Sequence, residues 1–116
     1  MYFNVRSEDP AIPPKVEGAL CLADGSNDPF DPAEVELEVL DSWESPRGGV
    51  YPSRWRLRIP SRDLDLLVEP LMADQELDVS VRYWEGAVDV SGSATGNGYV
   101  EMTGYAEGAN SFTDAL

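Results

Sequence analysis

The chain has 116 residues, 42% of them hydrophobic and 26% charged, the range of a folded domain rather than a disordered segment. Its net charge of −14, from 22 acids against 8 bases, repels phosphate backbones and anionic headgroups, so nucleic acid is a poor candidate partner. There is no histidine and one cysteine, Cys21, which removes the Ser-His-Asp triad, His-based metal sites and any intrachain disulfide. No metal and no cofactor is expected.

Residues 1–15, MYFNVRSEDPAIPPK, hold three prolines and no sustained pattern, which predicts extended, weakly paired chain. VEGALCL (16–22) is a short apolar run, followed by ADGSNDPFDPAE, whose Asp-Gly and Asp-Pro pairs predict a long turn region. Residues 34–40 alternate strictly, with Val35, Leu37 and Val39 on one face and Glu34, Glu36 and Glu38 on the other, as in a half-buried strand. Pro46, Gly48, Gly49 and Pro52 punctuate a loop at 42–54. RWRLRI (54–59) alternates again and ends at Pro60, and with LDLLVEPL (64–71) it predicts a hairpin. Strands are expected at 77–84 and 86–91, joined by a bulge near Glu85-Gly86, then a turn at 91–98, a last strand at 99–106 and a frayed tail at 107–116. Short antiparallel strands with glycine and proline turns, and no convincing helix, predict an all-β sandwich or barrel. No apolar run approaches the ~20 residues of a membrane span. The start lacks the shape of a signal peptide, so the sequence fits a cytoplasmic protein or one exported after signal removal.

Three groups of residues carry possible chemistry. Arg54, Arg56 and Arg58 opposite Glu34, Glu36 and Glu38 read as a cross-strand ion-pair ladder before they read as an anion site. Asp74, Glu76 and Asp78 lack the spacing of a dedicated calcium loop and read as a solvated turn. In the cluster Arg82-Tyr83-Trp84-Glu85, regular pairing puts Tyr83 and Glu85 on one strand face and Arg82 and Trp84 on the other. A glutamate buried against Trp55 or Trp43 would have its pKa raised and become a proton donor near neutrality. The other reading is that Glu85 pairs with an arginine while Tyr83 caps the core.

The order Trp43, Ser45-Pro46, YPSRWRLRIP, DLDLLVEPL, ADQELD, RYWEGAVDVSG and GYVEMTGYA resembles the C-terminal part of the AttH-like and carotenoid 1,2-hydratase (hydroxyneurosporene synthase) family, from about Gly18 to Ala106. The resemblance implies an antiparallel lipocalin-like (calycin) β-barrel, here a single or incomplete lobe of a two-barrel protein. Residues 1–116 would form one domain, with 1–17 and 107–116 peripheral. It implies binding of a hydrophobic small molecule, an isoprenoid or carotenoid or another lipid-like compound. It also implies cofactor-free addition of water to an isoprenoid double bond, with Glu85 as acid and Tyr83 as its partner, and Trp55, Trp84, Trp43 and Tyr105 as cavity walls. The alternatives are a non-catalytic lipid carrier or accessory protein of a membrane transport system, or a structural domain. An incomplete barrel leaves open edge strands, which predicts a homodimer through edge pairing; the alternative expectation is a missing N-terminal barrel.

Overall fold

The computed structural model describes residues 1–6 and 15–106. The described residues contain nine β-strands, two single-turn 3-10 helices and no α-helix. The strands are β1 Tyr2–Arg6, β2 Lys15–Cys21, β3 Asn27–Pro29, β4 Glu36–Glu44, β5 Val50–Ile59, β6 Leu64–Pro70, β7 Glu76–Asp78, β8 Arg82–Gly92 and β9 Gly96–Met102. The expected all-β, antiparallel class is what the chain adopts. The tail at 107–116 and the proline-containing stretch at 7–14 lie outside the described residues.

Two sheets form. A small one runs β1-β2-β3, and the larger one runs β4-β5-β6-β8-β7 with β9 on the other edge of β8. β6 and β7 share one edge of β8: Pro70 faces Val88 and Glu76 faces Trp84, so the five residues 71–75 sit opposite the three residues 85–87. The larger sheet is therefore an up-and-down meander whose third strand is interrupted by an insertion. It also curls. Ala106, just beyond β9, bridges Gly49 in the β4–β5 turn, and the rings of Tyr51 and Tyr105 lie 5.9 Å apart. Gly48 and Gly49 make that turn possible, with φ of 97° and 92°, which side chains with a Cβ rarely adopt.

Register fixes the two faces, because directly opposed residues point the same way. Trp43 faces Tyr51, Val39 faces Trp55, and Trp55 faces Val68 on the next strand. On this inner face Tyr51, Trp55, Trp84, Val88 and Met102 form one buried cluster, joined by half-buried Trp43, Val68, Val100 and Tyr105. Burying each such side chain stabilises by about 1.5–3 kcal/mol or more for the aromatics. The outer face carries the charges. Glu36 opposes Arg58 and Glu38 opposes Arg56, as the predicted ladder requires, and Arg58 reaches Glu36 at 3.2 Å. Arg56, however, turns to the other neighbour and grips Asp65 with two hydrogen bonds, at 2.9 and 2.7 Å.

The small sheet is tied on by Arg62, in the 3-10 turn between β5 and β6. It pairs with Asp28, donates to the Pro29 carbonyl at 3.0 Å and lies over the Phe30 ring at 5.2 Å. Ser61 beside it donates to Glu34 at 2.6 Å, drawing Glu34 away from the ladder.

Several expected boundaries change. The first 22 residues hold two paired strands, since the prolines at 10, 13 and 14 fall between β1 and β2 rather than within either. The long turn at 23–34 contains β3, which pairs with β2. The stretch 77–84 is not one strand: it breaks at 79–81, and β8 then runs without interruption through Glu85-Gly86. The irregularity expected on β8 lies on its neighbour, where 71–75 loop out. β9 begins at Gly96, because the Gly-Asn-Gly run pairs regularly with Val88, Asp89 and Val90 instead of turning.

Candidate functional site

The residues expected to line a ligand site converge. Trp43, Trp55, Trp84 and Tyr105 all belong to the inner-face cluster. Trp84 is fully enclosed and its indole N–H donates to the Ala73 carbonyl at 2.9 Å, which anchors the looped-out 71–75 segment. Within it Tyr51, Trp84 and Val88 are almost wholly enclosed. One stretch of the inner face stays open: Leu37 and Val39 on β4 are 42% and 53% exposed, although they directly oppose buried Leu57 and Trp55.

Tyr83 and Glu85 lie on the outer face of β8, as the alternation requires, away from Trp84 and with half-buried side chains. Burial first, then the charges of Glu85 and Glu101 and a hydrogen bond to Glu85, raise the Tyr83 pKa, so the phenol keeps its proton. Two open grooves lie on this side of the sheet. The larger, about 530 Å³, is bordered by Arg56, Asp65, Leu67, Gly92 and Ser93. Tyr83 and Glu85 are not among its walls.

The structure also builds a cluster that sequence reasoning missed. Glu76, read as part of a solvated turn, has a fully buried side chain. Opposition to Trp84 points it to the inner face. Its Oε1 accepts from Ser45 Oγ at 2.7 Å and Arg47 Nε at 2.5 Å, and its Oε2 accepts from the Tyr51 hydroxyl at 2.5 Å and Arg82 Nη1 at 3.3 Å. Arg47 also donates to Asp74 at 2.7 Å, and Arg82 to the Gly48 carbonyl at 2.7 Å. Two carboxylates thus balance two guanidiniums at the place where the curled sheet meets itself. Burial pushes the Glu76 pKa up, but the hydrogen bonds from Tyr51, Ser45 and Arg47 and the Arg47 charge outweigh it and hold the carboxyl below its ordinary value. Burial and the Glu76 contact hold the Tyr51 phenol well above its own. Held by four donors from the β4–β5 turn, β5 and β8, the Glu76 carboxylate acts as a clamp on the curled sheet. No local signal marks it in the sequence, because Ser45, Arg47 and Tyr51 lie 31, 29 and 25 residues from Glu76.

Gln75 explains the neighbouring motif. Its side-chain amide behaves like a strand residue, accepting from the Ala87 N–H at 3.0 Å and donating to the Ala87 carbonyl at 3.1 Å. It occupies the space above Gly86, where any Cβ would run into it.

These features define a class: an antiparallel, lipocalin-like lobe, curled and clamped at one end. The chain matches the AttH-like family profile over residues 1–105 and belongs to the AttH-like family. It is similar to the crystal structure of an AttH-type protein from Nitrosomonas europaea, with a TM-score of 0.69 and 35% identity. The match covers 79% of this chain and 30% of that one, so the chain spans about a third of that protein's length. No curated protein matches the sequence.

Proposed function

We propose that the chain is one lobe of a protein that binds a hydrophobic small molecule, isoprenoid or lipid-like, along the open stretch of its inner face. The observation that carries this reading is the exposed row Leu37 and Val39, which directly opposes buried Leu57 and Trp55. Such a row costs free energy when left to water, and an apolar ligand relieves it. Membership of the AttH-like family supports a lipocalin-like frame for such binding. The remaining wall of the site then comes from the rest of an AttH-type protein or from a second copy.

On this reading the lobe is a carrier or accessory surface. Thermal-shift and tryptophan-quenching titrations with isoprenoids, fatty acids and polyenes test it, since a ligand at about 100 times its Kd adds roughly 2.7 kcal/mol to the stability of the folded state. Quenching by one class, lost in Val39→Asp, is the expected result. A melting temperature that no class moves overturns it.

A second reading, cofactor-free hydration of an isoprenoid double bond, is favoured by the contact between Tyr83 and Glu85. Glu85, oriented by Tyr83, would protonate a double bond lying on the outer face of β8, a water would add to the resulting carbocation, and that water's proton would return to the Glu85 carboxylate. Glu85→Gln is then expected to abolish turnover and leave ligand affinity within about twofold, since only the proton donor is lost. Equal turnover in the variant refutes the catalytic role.

A further inference from the structure

We propose that β4 is a docking edge for an extended segment of another polypeptide in which basic and aliphatic residues alternate. Among the described residues β4 ends the larger sheet and pairs with β5 alone. Among the described residues, no backbone hydrogen bond leaves its other edge between Glu36 and Val39. Such an edge is a template for strand addition.

The side chains of β4 specify what fits. Its inner row, Leu37 and Val39, is exposed, so an added strand gains by setting aliphatic residues beside it. Its outer row, Glu36 and Glu38, is also exposed and calls for basic residues at the alternate positions. The occupied edge already shows this match. β5 presents Arg58 and Arg56 to Glu36 and Glu38, and Leu57 and Trp55 to Leu37 and Val39. A second partner of the same pattern would repeat that arrangement on the free side.

The same charges argue against a second copy of this chain. Pairing β4 with β4 antiparallel brings Glu36 and Glu38 of both copies together, and like charges directly opposite are destabilising. The register irregularity around Asp41, with the Asp41 carboxylate accepting from Ser42 N–H at 2.8 Å, confines regular pairing to the stretch before it. This inference shares the apolar row Leu37 and Val39 with the proposed ligand site but adds the backbone edge and its charges, which the peptide comparison reads separately from small-ligand binding.

The test uses the full chain and three labelled eight-residue peptides followed by fluorescence anisotropy: alternating Lys-Val, Lys-Ser and Glu-Val. The expected order is Lys-Val bound at least about tenfold more tightly than either of the others, from two matched cross-strand pairs plus the aliphatic row. Glu36→Lys/Glu38→Lys should invert the preference between the Lys-Val and Glu-Val peptides. Asp24→Lys/Asp89→Lys changes net charge equally at exposed sites away from β4 and should preserve it. Lys-Ser binding as tightly as Lys-Val would reduce the effect to net charge and overturn the proposal. So would a preference untouched by the β4 charge swap, or a dimer in sedimentation that the swap abolishes.

Discussion

Replacing Glu76 by glutamine removes one charge and almost no volume, so it isolates what the clamp contributes. The carboxylate accepts from four donors, on Ser45, Arg47, Tyr51 and Arg82. A glutamine amide keeps one acceptor oxygen and turns an NH₂ toward donors that cannot receive it. Each hydrogen bond to a buried charged group is worth about 1.5–3 kcal/mol. Part of the loss is recovered, because Arg47 retains Asp74 and Arg82 retains the Gly48 carbonyl. The net cost is about 3 kcal/mol, the low end for breaking a buried pair. At roughly 4 °C per kcal/mol for a domain of this size, Glu76→Gln should melt about 12 °C below wild type in a circular-dichroism scan at pH 7. The pH dependence has a definite sign. The folded-state pKa of Glu76 is depressed, so its contribution is present above the unfolded value of about 4.3 and fades as pH falls through the folded value. The gap between wild type and Glu76→Gln should therefore narrow by pH 3. A melting temperature within about 3 °C of wild type at pH 7 refutes the clamp.

Gly86→Ala should cost about 1–3 kcal/mol in chemical denaturation, because its Cβ runs into the Gln75 amide; in a Gln75→Ala background the same change should cost much less, and additive costs would refute the contact. Arg62→Ala should release the small sheet without unfolding the larger one. Amide exchange in β2 and β3 should then accelerate about tenfold or more while β5 and β8 stay protected, whereas uniform acceleration would show that the two sheets unfold as one.

What the sequence reveals follows from which interactions are local. Strict alternation at 34–40 and 54–59 announces β4 and β5, and even the charge matching of Glu36 with Arg58 is legible in the alternation alone. The breaks in β6, β7 and β8 are not. Whether extra residues sit at 71–75 or at Glu85-Gly86 depends on where Gln75 finds backbone partners, and these lie 12 residues away at Ala87. The same applies to Glu76. Its donors Ser45 and Tyr51 are 31 and 25 residues distant, and only the curl of the sheet brings them to one carboxylate. A carboxylate between Asp74 and Asp78 looks solvated to any local reading. The alternation that separates Tyr83 and Glu85 from Trp84 was legible, but which face is inner depends on the register with β6, β7 and β9.

The stretches that carried the family resemblance acquire a common physical role. Ser45, Arg47 and Tyr51 come from the Ser-Pro-Arg-Gly-Gly-Val-Tyr-Pro segment, Asp74, Gln75 and Glu76 from Asp-Gln-Glu-Leu-Asp, and Arg82, Trp84, Gly86 and Ala87 from Arg-Tyr-Trp-Glu-Gly-Ala. In the folded chain these three segments interlock with one another. Glu76 gathers the donors of the first and third, Gln75 completes the ladder against Ala87 above Gly86, and Trp84 anchors the Ala73 carbonyl. An open antiparallel sheet has two free edges and no intrinsic reason to curl to a fixed radius. A buried, charge-balanced clamp supplies that reason at one end, because it forms only when the β4–β5 turn reaches β7 and β8. Most residues of these motifs are thereby committed to setting the shape of the lobe. Tyr83 and Glu85, on the outer face, and Leu37 and Val39, on the open stretch of β4, are left free to meet something else.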